Sequence, residues 1–163
     1  MDFDDMGDLS AHFALAAINM EIALQAGMKK AALLVENTAK KELGSYQRSN
    51  NGPFAPWAEL KPSTKEQRVK LGFTENDPGL RTGEMRDSIE HQVEGLEALI
   101  GSNDDHLVYF ELGTSKQAPR SVLGVAMFRN KEKIRRIIGE AAVVGMVGGS
   151  RINPQLGYDM DIK

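Results

Sequence analysis

Apolar residues in the N-terminal part of the chain recur with a helical period. Between Ser10 and Leu43 there is no proline, and Phe13, Ala16, Ala17, Met20, Leu24, Gly27, Ala31, Leu34, Val35 and Thr38 return at three- and four-residue spacing. This predicts one long amphipathic helix. Ser10 is placed to cap its first amides, Asp8 lies near the positive helix end, and Gly44 is a natural stop. A second apolar row, Leu15, Ile18, Ile22, Ala26 and Leu33, lies off the first stripe. It can be wrapped by the chain's own domain or covered by a neighbouring subunit.

The pattern then breaks. Polar residues from Ser45 to Asn51, followed by Gly52, Pro53 and Pro56 before the solitary Trp57, predict an exposed loop near 45–62. Pro62, Ser63 and Thr64 can open a short helix over Thr64–Leu71. Leu80–Asp87 reads as a connection that turns at Thr82 and Gly83.

Ile89, His91 and Val93 alternate with Ser88, Glu90, Gln92 and Glu94, the period of a half-buried strand. Leu96–Ser102 is a second candidate strand, and Asn103, Asp104 and Asp105 turn into a third, Leu107–Leu112. Gly113 ends it, and Thr114–Pro119 reads as a loop. From Ser121 or Val122 the helical period returns: Val125, Phe128, Ile134, Ile137, Ile138 and Ala141 share a face, and Arg129, Lys131, Lys133, Arg135 and Arg136 make the remainder basic. A stop is expected near Gly145–Gly149.

The fold class is therefore α+β: a long N-terminal helix, a small antiparallel sheet of three to four strands and a C-terminal helix. A chain of 163 residues suits one domain, taken as 1–149, with 150–163 a C-terminal tail that is ordered only when a partner holds it.

Composition narrows the function. With no cysteine, thiolate metal sites, disulfides and cysteine nucleophiles are excluded. The acidic start MDFDDMGD is unlike a basic secretory signal, and a long uncharged apolar run is lacking, so neither export nor membrane insertion is expected. A net charge of -3 supplies no global attraction to nucleic acid.

Catalytic patterns are sparse. His12, His91 and His106 lack metal-ligand spacing, and no nucleophile elbow or phosphate-binding glycine loop follows a strand. Asp104, Asp105 and Glu111 form the best carboxylate cluster, but on a strand Asp105 and Glu111 stand about 20 Å apart, too far for joint acid and base work. The segment GMVGG at 145–149 follows a helix, which makes it a helix stop. No enzyme activity, metal or cofactor is expected. The basic residues Arg129, Lys133 and Arg136 are candidates for contact with DNA or a partner, although a solvated helix face is the simpler account.

Three phrases carry a resemblance. Trp57-Ala58-Glu59-Leu60-Lys61-Pro62-Ser63-Thr64, then Leu80-Arg81-Thr82-Gly83-Glu84-Met85-Arg86-Asp87-Ser88-Ile89, then Tyr109-Phe110-Glu111-Leu112-Gly113-Thr114 with Pro119 and Arg120, appear in that order. Together they resemble phrases of the phage tail-completion and virion-morphogenesis (head–tail joining, neck) families, across roughly Trp57 to Ala142. The chain departs from that pattern at Ser121, where a proline or aromatic residue often follows the arginine.

The resemblance implies a structural virion protein, assembled in the host cytoplasm, that forms a ring at the head-proximal end of a phage tail. The ring is commonly six-fold, with twelve-fold as the alternative. Its implied partners are tail-tube or terminator proteins on one side and head connector proteins on the other, with non-specific contact to DNA in the lumen. In this reading Trp57, Leu80, Gly83, Tyr109 and Gly113 are structural anchors, whereas Glu111, Thr114, Lys116 and Arg120 are the candidate subunit interface. The alternative is a nucleic-acid-binding accessory protein that uses the basic C-terminal helix.

Overall fold

The computed structural model describes residues 5–47 and 51–148. Along the chain run α1 (Met6–Glu42), α2 (Pro62–Lys70), α3 (Glu84–Asp87), β1 (Ile89–Glu94), β2 (Glu97–Ser102), α4 (Asp105–Leu112) and α5 (Leu123–Met146). The class is α+β, as the periodicities predict. Among the described residues the sheet has two strands, β1 and β2, rather than three or four. The expected tail at 150–163 lies outside the described residues.

The missing third strand is a helix. Asp104 is extended, and its carboxylate accepts the amide of His106 at 2.9 Å, capping α4, with Asp105 in the first turn. A short apolar run such as Leu107–Leu112 fits either a buried strand or a helix, and an acidic cap decides for the helix. Consequently Asp105 and Glu111 do not share a strand face. Ser10 is also not the cap of α1. It lies inside that helix, with its hydroxyl on the carbonyl of Gly7, and Asp5 receives the amide of Asp8 at 2.9 Å instead. Gly44, at φ 92°, stops α1 as expected. Helix α2 opens at Pro62 itself, where the missing amide costs nothing.

Contacts divide the chain into two units: 1–31 with 93–97 and 133–163, and 32–92 with 98–132. The second holds most of the core. Ala32, Val35 and Ala39 of α1, Ile89 of β1, Leu107 of α4, Val122, and Val125 and Ala126 of α5 are all buried there. In β1, Ile89, His91 and Val93 turn inward and the alternate residues outward, the register read from the alternation. Phe128, placed on the apolar face of α5 by periodicity, is instead exposed.

In this unit His91 reaches from β1 to α1, where its Nδ1 hydrogen-bonds Glu36, whose other oxygen accepts Lys40 at 2.6 Å. These two bonds, His91 first, hold the Glu36 carboxyl below its ordinary range. A depressed carboxyl adds stability above its unfolded pKa and loses it as pH falls through the folded value. Urea midpoints of the native chain and of Glu36→Gln should therefore differ at neutral pH and converge on acidification.

In the other unit α1 packs around Met20 and Gly27 on the C-terminal half of α5 through small residues. A Cβ on Gly145 would lie 2.4 Å from the Cα of Met20, and one on Gly27 would lie 2.7 Å from the Cβ of Ala141. Gly139, on the same helix, has no such neighbour within 4 Å. Gly139→Ala should thus stabilise by about 0.5–1 kcal/mol through helix propensity. Gly145→Ala should destabilise, because overpacking of about 1–3 kcal/mol outweighs that gain. Urea unfolding of the two variants checks the opposite signs.

Candidate functional site

The three sequence phrases converge on Phe110. Trp57 is buried, meets the Phe110 ring edge-on at 5.3 Å, and donates its indole N–H to the carbonyl of Ser121 at 3.1 Å. The guanidinium of Arg120 stacks 5.7 Å from the centre of the same ring and donates to the carbonyl of Ala58 at 2.8 Å. The backbone amide of Arg120 bonds the carbonyl of Phe110 at 2.8 Å. A Cβ on Gly79 would fall 2.9 Å from the tip of Phe110 and 3.2 Å from Met85 of the second phrase. Phe110 lies within the third phrase, but nothing in a short apolar run marks which member becomes the hub.

Glu111 holds the next element. Its carboxylate accepts the Ser121 hydroxyl at 2.5 Å and the amides of Val122, Leu123 and Gly124 at 2.6, 3.0 and 3.0 Å. These are orphan donors at the start of α5, where a negative charge also meets the positive end of the helix dipole. Arg120 is buried, and desolvation lowers its pKa from the usual arginine value. Glu111 and Arg120, expected at a subunit interface, thus spend their side chains inside the chain. Thr114 and Lys116 are the exposed members of that set. Thr114 folds its loop by pairing with Gln117 through both backbone groups.

The expected anchors divide as well. Leu80 uses its carbonyl to accept Arg68 at 2.8 Å, and Arg68 also donates to the carbonyl of Thr74, so α2 is tied to the chain that follows it. Gly83 is buried at φ 95° and begins α3 in a conformation that glycine alone adopts freely. Gly113 at φ 77° ends α4, and a Cβ there would stand 2.7 Å from the nitrogen of Pro119. Tyr109, by contrast, is 55% exposed and anchors nothing through burial.

Of the basic trio, Arg129 pairs with buried Glu42 at 2.6 Å and donates to Asn51 at 2.9 Å, and Arg136 pairs with Glu140 at 2.7 Å. Lys133 is exposed. Two of the three charges expected to meet DNA or a partner are thereby committed internally. Near Arg129, Asn130 donates to Thr38 at 2.8 Å, so a polar seam joins α1 to α5 within the core unit. The signal for this seam was a carboxylate, Glu42, at a position continuing the buried stripe Ala31, Val35 and Ala39.

Among the described residues no three histidine or acidic side chains gather as a metal site would require, and no helix is long and apolar enough to cross a membrane. The second apolar row of α1 faces outward: Leu15, Ile18, Ile22 and Leu33 are 57, 56, 61 and 48% exposed. Phe13 of the first stripe joins them at 63%. Comparison with protein-family models, curated proteins and solved structures yields no match.

Proposed function

We propose that this chain is a non-enzymatic structural subunit of a tailed bacteriophage that forms a ring at the head-proximal end of the tail. In the particle one ring face would meet tail-tube or terminator proteins and the other the head connector.

The observation that carries this reading is the division of labour between inward and outward residues. The phrases that resemble the tail-completion families supply the packed hub around Phe110 and the cap of α5. A run of large apolar side chains on α1 is left facing outward. Exposed contiguous apolar surface marks an interaction site more often than a free face. A ring of six copies, or of twelve, would cover such a surface repeatedly.

Light scattering over a concentration series, followed by imaging of the large species, tests the proposal. The expected result is a closed species of about six or twelve subunits, the closed cyclic symmetry open to a self-associating chain. A strict monomer at every concentration would count against self-assembly.

A further inference from the structure

We propose that the N-terminal turns of α1 dock on the basic stretch of α5 in a second copy of this chain, and that this contact closes the ring. The inference rests on the ring reading above.

Its first support is a helix that outruns its partner. Gly145 meets Met20 just before α5 ends at Met146, so α1 from Met6 to Asn19 continues past the last turn of α5. At 1.5 Å per residue that is an extension of roughly 20 Å. It carries exposed Phe13, Leu15 and Ile18, with exposed Ile22 one turn further on. In proteins most helical stability comes from packing of the apolar face, and on this stretch those side chains stand exposed. Covering the exposed row would supply that packing.

The second support is charge. The first 28 residues contain five carboxylates (Asp2, Asp4, Asp5, Asp8 and Glu21) and neither lysine nor arginine. Helix α5 carries five basic residues against Glu132 and Glu140. Arg129 and Arg136 serve Glu42 and Glu140, whereas Lys131 and Lys133 stand exposed. Met127 and Phe128, also exposed on α5, offer an apolar floor beside Lys131. An acidic, apolar arm and an apolar seat edged by Lys131 thus occur on the same chain at different places, and Lys133, two residues on, lies on another face of α5. A contact between two different patches is heterologous, the head-to-tail kind that makes a cyclic ring when its rotation closes and a filament when it does not.

Charge reversal in the full chain tests it. Asp8→Lys, and separately Lys131→Glu, should each weaken self-association about fivefold by sedimentation, consistent with an exposed ion pair. Both changes in one chain should restore it. Ile18→Glu with Ile22→Glu should weaken it at least about a hundredfold with helix content unchanged by circular dichroism. Carbodiimide cross-links from Asp8 to Lys131, formed between heavy- and light-labelled chains, would support the contact directly.

If the native chain forms rings that both charge variants leave intact, the arm contact is wrong and the ring reading survives. Weakening without restoration, or cross-links from the arm only to residues 149–163 of the same chain, overturns it likewise. A native chain that is monomeric throughout overturns both.

Discussion

Replacing Glu111 by alanine is expected to cost roughly 3 kcal/mol, a drop of about 6–12 °C in the unfolding midpoint for a chain of this size. One carboxylate serves four donors: the Ser121 hydroxyl and the amides of Val122, Leu123 and Gly124. Alanine would strand those amides at the start of a helix of 24 residues while removing the charge that meets its dipole. A single N-cap is typically worth about 1 kcal/mol, and the larger figure reflects an ionised acceptor with several donors.

Glu111→Gln should fall between alanine and the native chain, because it keeps one acceptor oxygen but turns an amide donor toward other donors. The readout is built in. Trp57 is the sole tryptophan, and its indole bonds the carbonyl of Ser121 in the segment Glu111 holds. Its fluorescence should therefore shift toward that of a wetter indole in the alanine variant before global unfolding. A midpoint within about 1 °C of native would show that the cap is dispensable.

Arg129→Met should cost more near neutral pH, about 3–5 kcal/mol, because it leaves Glu42 buried without its cation. Burial raises the Glu42 carboxyl above its ordinary range, and Arg129 opposes that rise. For a raised carboxyl the folded state binds the proton more tightly than the unfolded one. Its contribution to stability is present at low pH and is lost as pH climbs through the folded value. Without Arg129 the rise is unopposed, so the deficit of the variant should shrink as pH falls from about 7 to about 5.

Adding Glu42→Gln to Arg129→Met should recover most of the loss, the coupling expected of two groups in direct contact. Urea unfolding at both pH values, on the native chain and the two variants, gives the measurement. A deficit independent of pH, or unchanged by Glu42→Gln, would mean that packing of the arginine stem rather than the charge pair carries the effect.

Some of this architecture was legible along the chain because it depends on local periodicity. The spacing of Gly27, Ala31 and Val35 produces a buried stripe on α1, and the alternation of Ile89, His91 and Val93 produces β1, since each pattern places its apolar residues on one face whatever lies opposite. Gly44, Gly83 and Gly113 mark real stops and turns, because a positive φ is a property of the residue's own backbone. The same spacing sets Leu15, Ile18 and Ile22 off that stripe but leaves open what covers them, and in the fold they are exposed.

Other features required the folded chain. Leu107–Leu112 fits two periods, and only the Asp104 cap made it helical. Whether Glu111 and Arg120 faced a neighbour or the interior turned on residues distant in sequence: Ala58 for the arginine, Val122–Gly124 for the glutamate. The pairing of Arg129 with Glu42 spans 87 residues of sequence. A charged side chain carries no mark of its partner, and satisfying a buried charge is a three-dimensional matter. By itself the sequence determined the helix stripes, the hairpin and the turns, because those obey short-range geometry. Tertiary structure alone decided which charges were consumed internally, because that depends on which distant groups the fold brings within bonding reach.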